Sequence, residues 1–494
     1  MQWKQKISGV LFVGDLTDSG TEAQYDTLMS TINNSPMAGK VYMSMGNHDH
    51  YTGDTARFEE KTGQKASEVL DFNGVTVVKL NPSTSGYIYT NDYELLKGAL
   101  EDANTADPTA PVIIIGHHGV KDTAYVTNEW YGSYGEGTDK DMVALMEQYP
   151  QAIHISGHSH STLEDARSIY QDDGFTAIQD STIGAYFENE SGKVDPTTGK
   201  GSTYPDDPNY SSQALRIDVL SDNTVKIYRM DLTEGAYMYE DEPWTFSSAD
   251  LPYTNDRAAS SKAPSFAEGA AVTVENVTGD SMIVKFPAAA EASGANVDMI
   301  HEYQITLTDS EGSQTVRKVF ADYYKEPRKT DWSVKVADLT GETTYSVAVT
   351  AVTSFGAASK PITAAEDVTT GAGYKPVYPA EAILDVDFSR DATGESGKAA
   401  VKLTGVQVAG YDESGEAVFL DSTIAGGEAV TAIGSKYDVN TDGVVDLRDI
   451  VHAQKFYQLT ANSANWEQAK HCDVTGDGMI DLEDLIAILR AYAA

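Results

Sequence analysis

Four short polar clusters carry residue types that bind metals, and each directly follows an apolar run. They are Gly14-Asp15-Leu16-Thr17-Asp18, Gly46-Asn47-His48-Asp49, Gly116-His117-His118 and Gly157-His158-Ser159-His160. The runs before them are Val10–Val13, Val41–Met45, Val112–Ile115 and Ile153–Ile155. Asp, Asn and His together offer mixed oxygen and nitrogen ligands, a set suited to Mn, Fe, Zn or Mg rather than to a thiolate-seeking ion. A lone His or Asp at the end of a strand is ordinarily a cap or turn residue. These clusters hold five of the ten histidines, which favours one shared site over four unrelated turns. In open α/β sheets such sites form beyond the carboxyl ends of strands.

A second constellation lies near the C-terminus. Asp438, Asn440, Asp442, Asp446 and Asp449 fall at positions 1, 3, 5, 9 and 12 of an EF-hand-type loop, with Gly443 at the sharp turn and Val444 offering its carbonyl. The pattern recurs 35 residues later as Asp473, Thr475, Asp477, Met479, Asp481 and Asp484, with Gly478 at the turn. One such loop could be an acidic turn, but two aligned copies predict two bound Ca2+ ions. Each is followed by an apolar-periodic helix, Ile450–Tyr457 and Leu485–Tyr492. Cys472, beside the second loop, is expected to be buried as a small hydrophobe.

The elements that position these residues change character along the chain. Residues 1–240 alternate short apolar runs with amphipathic stretches at Thr21–Asn33, Asp92–Ala103 and Asp139–Gln148, the mark of an α/β layered domain. The basic Met1–Lys6 and apolar Ile7–Gly14 superficially resemble a signal peptide. The run is too short, however, and is read as a core strand delivering Asp15. Asn128–Gly135, with Trp130, Tyr131 and Tyr134, is a Gly-rich loop that either walls a pocket or lies on the surface. Tyr239–Pro264 reads as a linker. Residues 263–370 alternate like strands, with no helical pattern between them, which predicts an all-β sandwich. Gly371–Ala380 is a second linker, 381–425 a short β segment, and 435–494 the helical calcium module.

Residues 7 to about 235 resemble the calcineurin-like metallophosphoesterases, whose motifs run D-x-H, G-D-x-x-D, G-N-H-D, H and G-H-x-H. Gly14–Gly20 followed by Gln24-Tyr25 is especially similar to the cyclic-nucleotide phosphodiesterase branch. The resemblance implies that Asp15 bridges two divalent ions. Asn47, His117 (or His118) and His158 would hold one ion and His160 would belong to the other. His48 would act on the substrate with Asp49 orienting it, and Asp18 would support the loop. Two cations about 3.5–4 Å apart lower the pKa of a bridging water and neutralise phosphoryl oxygens during in-line attack. No Asp or His occurs among the fourteen residues before Asp15, so the D-x-H motif is missing. The chain is therefore expected to be N-terminally truncated, holding one ion well and the second weakly.

Leu339–Gly356, with Tyr345 before an alternating strand, resembles the later strands of fibronectin type III domains, although the early core Trp is replaced by Phe286. The short β segment Ile383–Val418, which contains Val401–Val408, looks like the last third of a cohesin module. The duplicated loops, with Asp at position 12 and no entering helices, resemble a dockerin. That resemblance implies a cohesin partner on a bacterial scaffold protein, met through Leu447, Arg448, Leu482 and Glu483.

With 75 acidic against 35 basic residues and a formal net charge of -40, the chain lacks the basic face that nucleic acid or an anionic membrane would need. No apolar run reaches the roughly 18 residues of a membrane-spanning helix. The expectation is a secreted, extracellular or surface-bound phosphoesterase of mono- or diesters, carried by a calcium-dependent docking module. A different class of reading is a catalytically impaired surface adaptor that retains the phosphoesterase scaffold.

Overall fold

The computed structural model describes residues 7–372 less 84–88, 130–131, 135–139, 185, 211, 240–241 and 293–295. It further describes 409–411, 417–419 and 436–492 less 438, 441–444, 446, 462 and 464–465. These residues fall in two units, 1–374 and 375–494.

The first unit opens with strand β1 (Val10–Val13), helix α1 (Glu22–Asn33) and β2 (Val41–Ser44). Helix α1 starts where it does because Thr21 and Gln24 close a capping box, each side chain bonding the other's backbone. Helix α2 (Thr55–Thr62) is capped by Asp54 and stopped by Gly63 in the left-handed region. There follow β3 (Glu68–Phe72), β4 (Val75–Lys79), α3 (Tyr93–Ala106), β5 (Val112–Ile115), β6 (Gly119–Val120), β7 (Gly132–Tyr134) and α4 (Lys140–Met146). The chain then forms β8 (Ala152–Ser156), β9 (Ile169–Tyr170) and β10 (Thr176–Gln179).

Strands β1 and β2 pair in parallel, and β3-β4-β5-β8-β10-β9 form a six-stranded sheet. Its interior strands β4, β5, β8 and β10 are parallel. Strands β5, β8 and β10 are buried along their whole length because both faces are covered. On one face lie α3 and α4, around Leu96, Leu100, Met142 and Met146. On the other lies a second sheet of β11 (Gln213–Val219), β12 (Val225–Asp231), β13 (Ala236–Met238) and β14 (Trp244–Phe246). There Ile227, Trp244 and Phe246 meet Ile113, Ile153, Ile155 and Ile178.

Strand β14 corrects the reading of Tyr239–Pro264 as a linker and of 240 as a domain end. It pairs with β12 and buries Trp244 and Phe246 in the sandwich core. The Pro and polar residues around those two aromatics hid a strand whose stability comes from tertiary burial.

Glu164, buried behind this core, accepts both of its hydrogen bonds from Gln213 Nε2, at 3.0 and 2.9 Å. Burial pushes its pKa up to about 7. Between its unfolded value near 4.5 and about 7 the folded chain holds a proton that the unfolded chain has lost, so stability falls as pH rises through that window. Glu164→Gln should therefore stabilise the protein at pH 8 by about 2–3 kcal/mol and have little effect at pH 4, as read by urea unfolding at the two pH values.

The remaining strands of the first unit form an all-β sandwich. They are β15 (Thr273–Glu275), β16 (Met282–Pro287), β17 (Ile300–Asp309), β18 (Gln314–Phe320), β19 (Asp331–Val336), β20 (Thr344–Thr353), β21 (Ile362–Thr363) and β22 (Val368–Thr369). The sheets are β15-β16-β19 and β18-β17-β20-β21, with β22 also on β20. Alternation places Met282, Val284, Ile305, Leu307, Val347 and Val349 in one core. The core tryptophan sought on an early strand is Trp332 on β19, paired across the sheet with Phe286.

This sandwich packs tightly on the α/β domain. Lys193 Nζ lies 2.6 Å from both Glu190 Oε1 and Glu302 Oε2. His301 Nε2 is 2.6 Å from the same Glu190 oxygen. Arg167 pairs with Asp165 at 2.7 Å, and Tyr323 and Ser354 donate to Asp165 Oδ2 at 3.1 and 3.0 Å. Burial alone would raise Asp165, but Arg167 and His301 hold it well below the usual carboxylate range. Phe187, Met299, Phe320, Tyr323 and Tyr324 form an apolar patch of the same contact.

In the second unit β23 (Ala409–Tyr411) pairs with β24 (Ala417–Phe419), and the rest of the expected 381–425 segment lies outside the described residues. Helices α5 (Leu447–Gln454), α6 (Trp466–Ala469) and α7 (Leu482–Tyr492) enclose a small core of Val439, Ala453, Ala469, Cys472, Val474, Ile480 and Ile488. No described helix is long and apolar enough to cross a membrane.

Candidate metal centre

The carboxyl ends of β1, β2, β5 and β8 deliver the four polar clusters to one rim. Asp15 leaves β1 through Gly14, whose φ is +93°. A Cβ on Gly14 would lie 2.6 Å from His117 Nδ1, and one on Gly46 would lie 2.1 Å from Asp15 Oδ1. Only glycine lets these strand ends close on each other. Asp15, His158 and His160 themselves sit at φ +48°, +64° and +48°. Such conformations cost energy in non-glycine residues and persist where the surroundings enforce them, commonly at functional sites.

The donors converge. His117 Nδ1 donates to Val13 O at 2.8 Å, which turns Nε2 to Asp15 Oδ2 at 3.0 Å. Two acceptors facing at that distance need a proton or a cation between them, so the pair suits a metal ion. His117, His118 and His158 have donor atoms within 4.8 Å of one another. His118 Nδ1 bonds Tyr89 Oη at 2.8 Å, so the doublet places both rings at the centre. Asn47 Nδ2 donates to Tyr51 Oη at 3.0 Å, and Asn47 Oδ1 is buried without a hydrogen-bond partner, as is His160 Nδ1. Buried oxygen and nitrogen lone pairs of this kind are what a divalent cation satisfies.

The electrostatics agree with that chemistry. Burial pushes His158 down to about 3 and His160 to about 4, keeping both rings neutral with lone pairs available. Burial alone would raise Asp15, but His117 and His48 hold it well below its ordinary value, so it stays ionised. The expected ligands Asp15, Asn47, His117, His158 and His160 are thus all at the rim, and the donor set suits at least one divalent ion.

Asp49 has a different place from the one expected. It does not orient His48, whose Nδ1 donates instead to Asp18 O at 2.7 Å. The Asp49 carboxylate is fully buried and accepts from Gly46 N (2.9 Å), Leu16 N (3.1 Å), Thr17 N (3.1 Å), Thr17 Oγ1 (2.8 Å) and Tyr25 Oη (3.2 Å). It ties the Asp15 loop to the Asn47 loop. Asp18 supports His48 through its carbonyl, while its side chain bonds Ser19. Gln24 and Tyr25 likewise serve the fold, as helix cap and Asp49 donor.

Sequence reasoning missed Asp180, which ends β10 on the same rim. Its pKa is pushed up to about 7 by burial, against the pull of His117. The signal was present, an acidic residue just past the strand-like run Phe175–Gln179. Trp130, Tyr131 and Gly135 of the expected aromatic wall lie outside the described residues.

In the second unit, Asp473 Oδ1 accepts from Gly476 N at 2.7 Å and Oδ2 from Gly478 N at 2.9 Å. Asp484, fully buried, accepts from Thr475 N at 2.9 Å and Asp481 N at 2.9 Å. Carboxylate oxygens of Asp473, Asp477 and Asp484 lie within 4.8 Å of one another. In the first loop Asn440 N donates to Asp449 Oδ1 at 3.0 Å, the same contact 35 residues earlier. Its Asp438, Asp442, Val444 and Asp446 lie outside the described residues. Met479 is exposed, as are Leu447 and Leu482 at the expected partner positions, with Arg448 and Glu483 beside them.

Comparison with known proteins divides the chain in the same way. The family model described as calcineurin-like phosphoesterase matches residues 3–162, and that of the dockerin type I domain matches residues 436–491. No curated protein matches the chain. Among solved structures, the fn3 domain of human collagen alpha-1(XX) chain is similar at 21% identity, covering 24% of this chain and 94% of that one, with a TM-score of 0.17. The FN5 domain of Drosophila Lar is similar at 17% identity, covering 23% and 99%, with a TM-score of 0.16. The chain therefore carries a calcineurin-like phosphoesterase domain at its N-terminal end and a type I dockerin at its C-terminal end.

Proposed function

We propose that this chain is a secreted, metal-dependent hydrolase of phosphoric esters that the dockerin attaches to a cohesin-bearing scaffold outside the cell. The observation carrying the reading is the convergence of Asp15, Asn47, His117, His158 and His160 on one rim, with buried lone pairs of Asn47 and His160 left without protein partners. These five residues would hold divalent transition ions, which when bound supply charge neutralisation at the phosphoryl oxygens and activation of a water. His117, fixed by Val13 O, and Asp15, which accepts from His48 N at 2.9 Å, keep the ligand atoms from rearranging.

His48 works on the substrate. Its Nδ1 hydrogen is committed to Asp18 O, so Nε2 is the nitrogen left to face a substrate. Tyr51 packs against the ring at 4.5 Å and limits its rotation. In its protonated form Nε2 gives its proton to the departing ester oxygen. The dockerin's exposed Leu447 and Val451 on α5, and Leu482, Ile486 and Leu489 on α7, offer the apolar helix faces that a cohesin would cover.

The test is hydrolysis of bis(p-nitrophenyl) phosphate with Mn2+. His48→Ala should lower kcat by about 100-fold or more while leaving Mn2+ binding intact. Equal turnover by variant and parent would favour the non-catalytic adaptor.

A further inference from the structure

We propose that His452, His471 and Cys472 form an additional metal site in the dockerin, distinct from both calcium loops, for a borderline divalent ion of the zinc class. His452 lies on α5, and His471 and Cys472 lie in the short turn Lys470–Cys472 that enters the second calcium loop. His452 Nε2 and His471 Nε2 are 3.2 Å apart. The Cys472 sulfur and one ring nitrogen of each histidine lie within 4.8 Å of one another.

The spacing matches coordination. Zinc–nitrogen bonds of about 2.0–2.1 Å at tetrahedral angles place two imidazole nitrogens about 3.3 Å apart, and a thiolate binds at about 2.3 Å. Two imidazoles and a thiolate select zinc, nickel or copper over calcium and magnesium, which take oxygen ligands. The neighbouring loops and this cluster would therefore not compete for the same ion. A plain N–H···N bond between the rings would account for the 3.2 Å alone; Cys472 packs in the small core and also brings its sulfur within reach of both rings as a third ligand. Phe456 stands against both rings, at 5.6 and 6.0 Å, and restricts their motion. Cys472 is buried and His471 is exposed, so the fourth position opens to solvent. On binding, the thiol loses its proton to water. The ion would then clip α5 to the entrance of the second calcium loop.

The chain has one cysteine, which makes the test specific. The full-length, Ca2+-saturated protein is titrated with Co2+. A sulfur-to-cobalt charge-transfer absorption reports Cys472 alone, whatever cobalt does at the phosphoesterase rim. Growth of that band to one equivalent per chain, its displacement by Zn2+, and its loss in His471→Ala and His452→Ala would support the site. His471 is exposed, so His471→Ala should keep its folded circular dichroism even if Cys472→Ser does not. No band in the parent at saturating Co2+, or a band of equal affinity in both histidine variants, would overturn it.

Discussion

Asp165→Ala should lower the unfolding free energy of the first unit by about 3 kcal/mol, because it leaves the half-buried Arg167 without its carboxylate and the buried Tyr323 and Ser354 hydroxyls without an acceptor. The carboxylate is fully buried and serves Arg167, Tyr323 and Ser354 at once. Tyr323 and Ser354 belong to the β-sandwich and Asp165 to the α/β domain, so the loss falls on the contact between them. Urea unfolding of the parent should show one transition for both domains, and the variant should show two. A single transition with an unchanged midpoint would mean that the network contributes nothing to their coupling. Asp165→Asn should fall between, since it keeps an acceptor but removes the charge.

Asp49→Ala should be comparably severe and should also weaken metal binding. Five donors lose their acceptor together, three of them backbone N–H groups of the loops that carry Asp15 and Asn47. A loss of about 3–5 kcal/mol follows from leaving several buried donors unsatisfied. Since Asp49 touches neither His48 nor a ligand atom directly, its effect on chemistry comes through the geometry of Asp15. Two measurements separate this from a catalytic role. Mn2+ affinity should fall in Asp49→Ala and hold in His48→Ala, whereas turnover should fall in both. Asp49→Ala with parental stability and parental Mn2+ affinity would refute the clamp.

These two residues also mark where the sequence was readable and where it was not. The rim was legible because a glycine followed by Asp, Asn or His after an apolar run is a local pattern. The β1-β2 pair and the six-stranded sheet turn these strand ends toward the same edge. The EF-type loops were legible for the same reason, their ligands lying within twelve residues. Asp49 was misread because its neighbours in the motif suggested a role, whereas four of its five donors come from Leu16, Thr17 and Tyr25, 24 to 33 residues away. Asp180 was overlooked because one polar residue after one apolar run is too common a signal alone. Trp244 and Trp332 were missed because polar surroundings masked short strands that exist only through burial. The contact among Asp165, Arg167, Glu190, Lys193, His301 and Glu302 was invisible, since acidic and basic residues more than a hundred positions apart read as solvated surface.

That contact sets a rule for handling the protein. Lys193 is held by Glu190 from one domain and Glu302 from the other, so a cut in the stretch around 263 would leave a buried ammonium with half its counter-charge. An engineer moving this phosphoesterase onto a foreign scaffold should therefore treat residues up to about 372 as the indivisible cassette and splice in the stretch before the dockerin. The β-sandwich is freight the hydrolase cannot shed, not cord to be shortened at will.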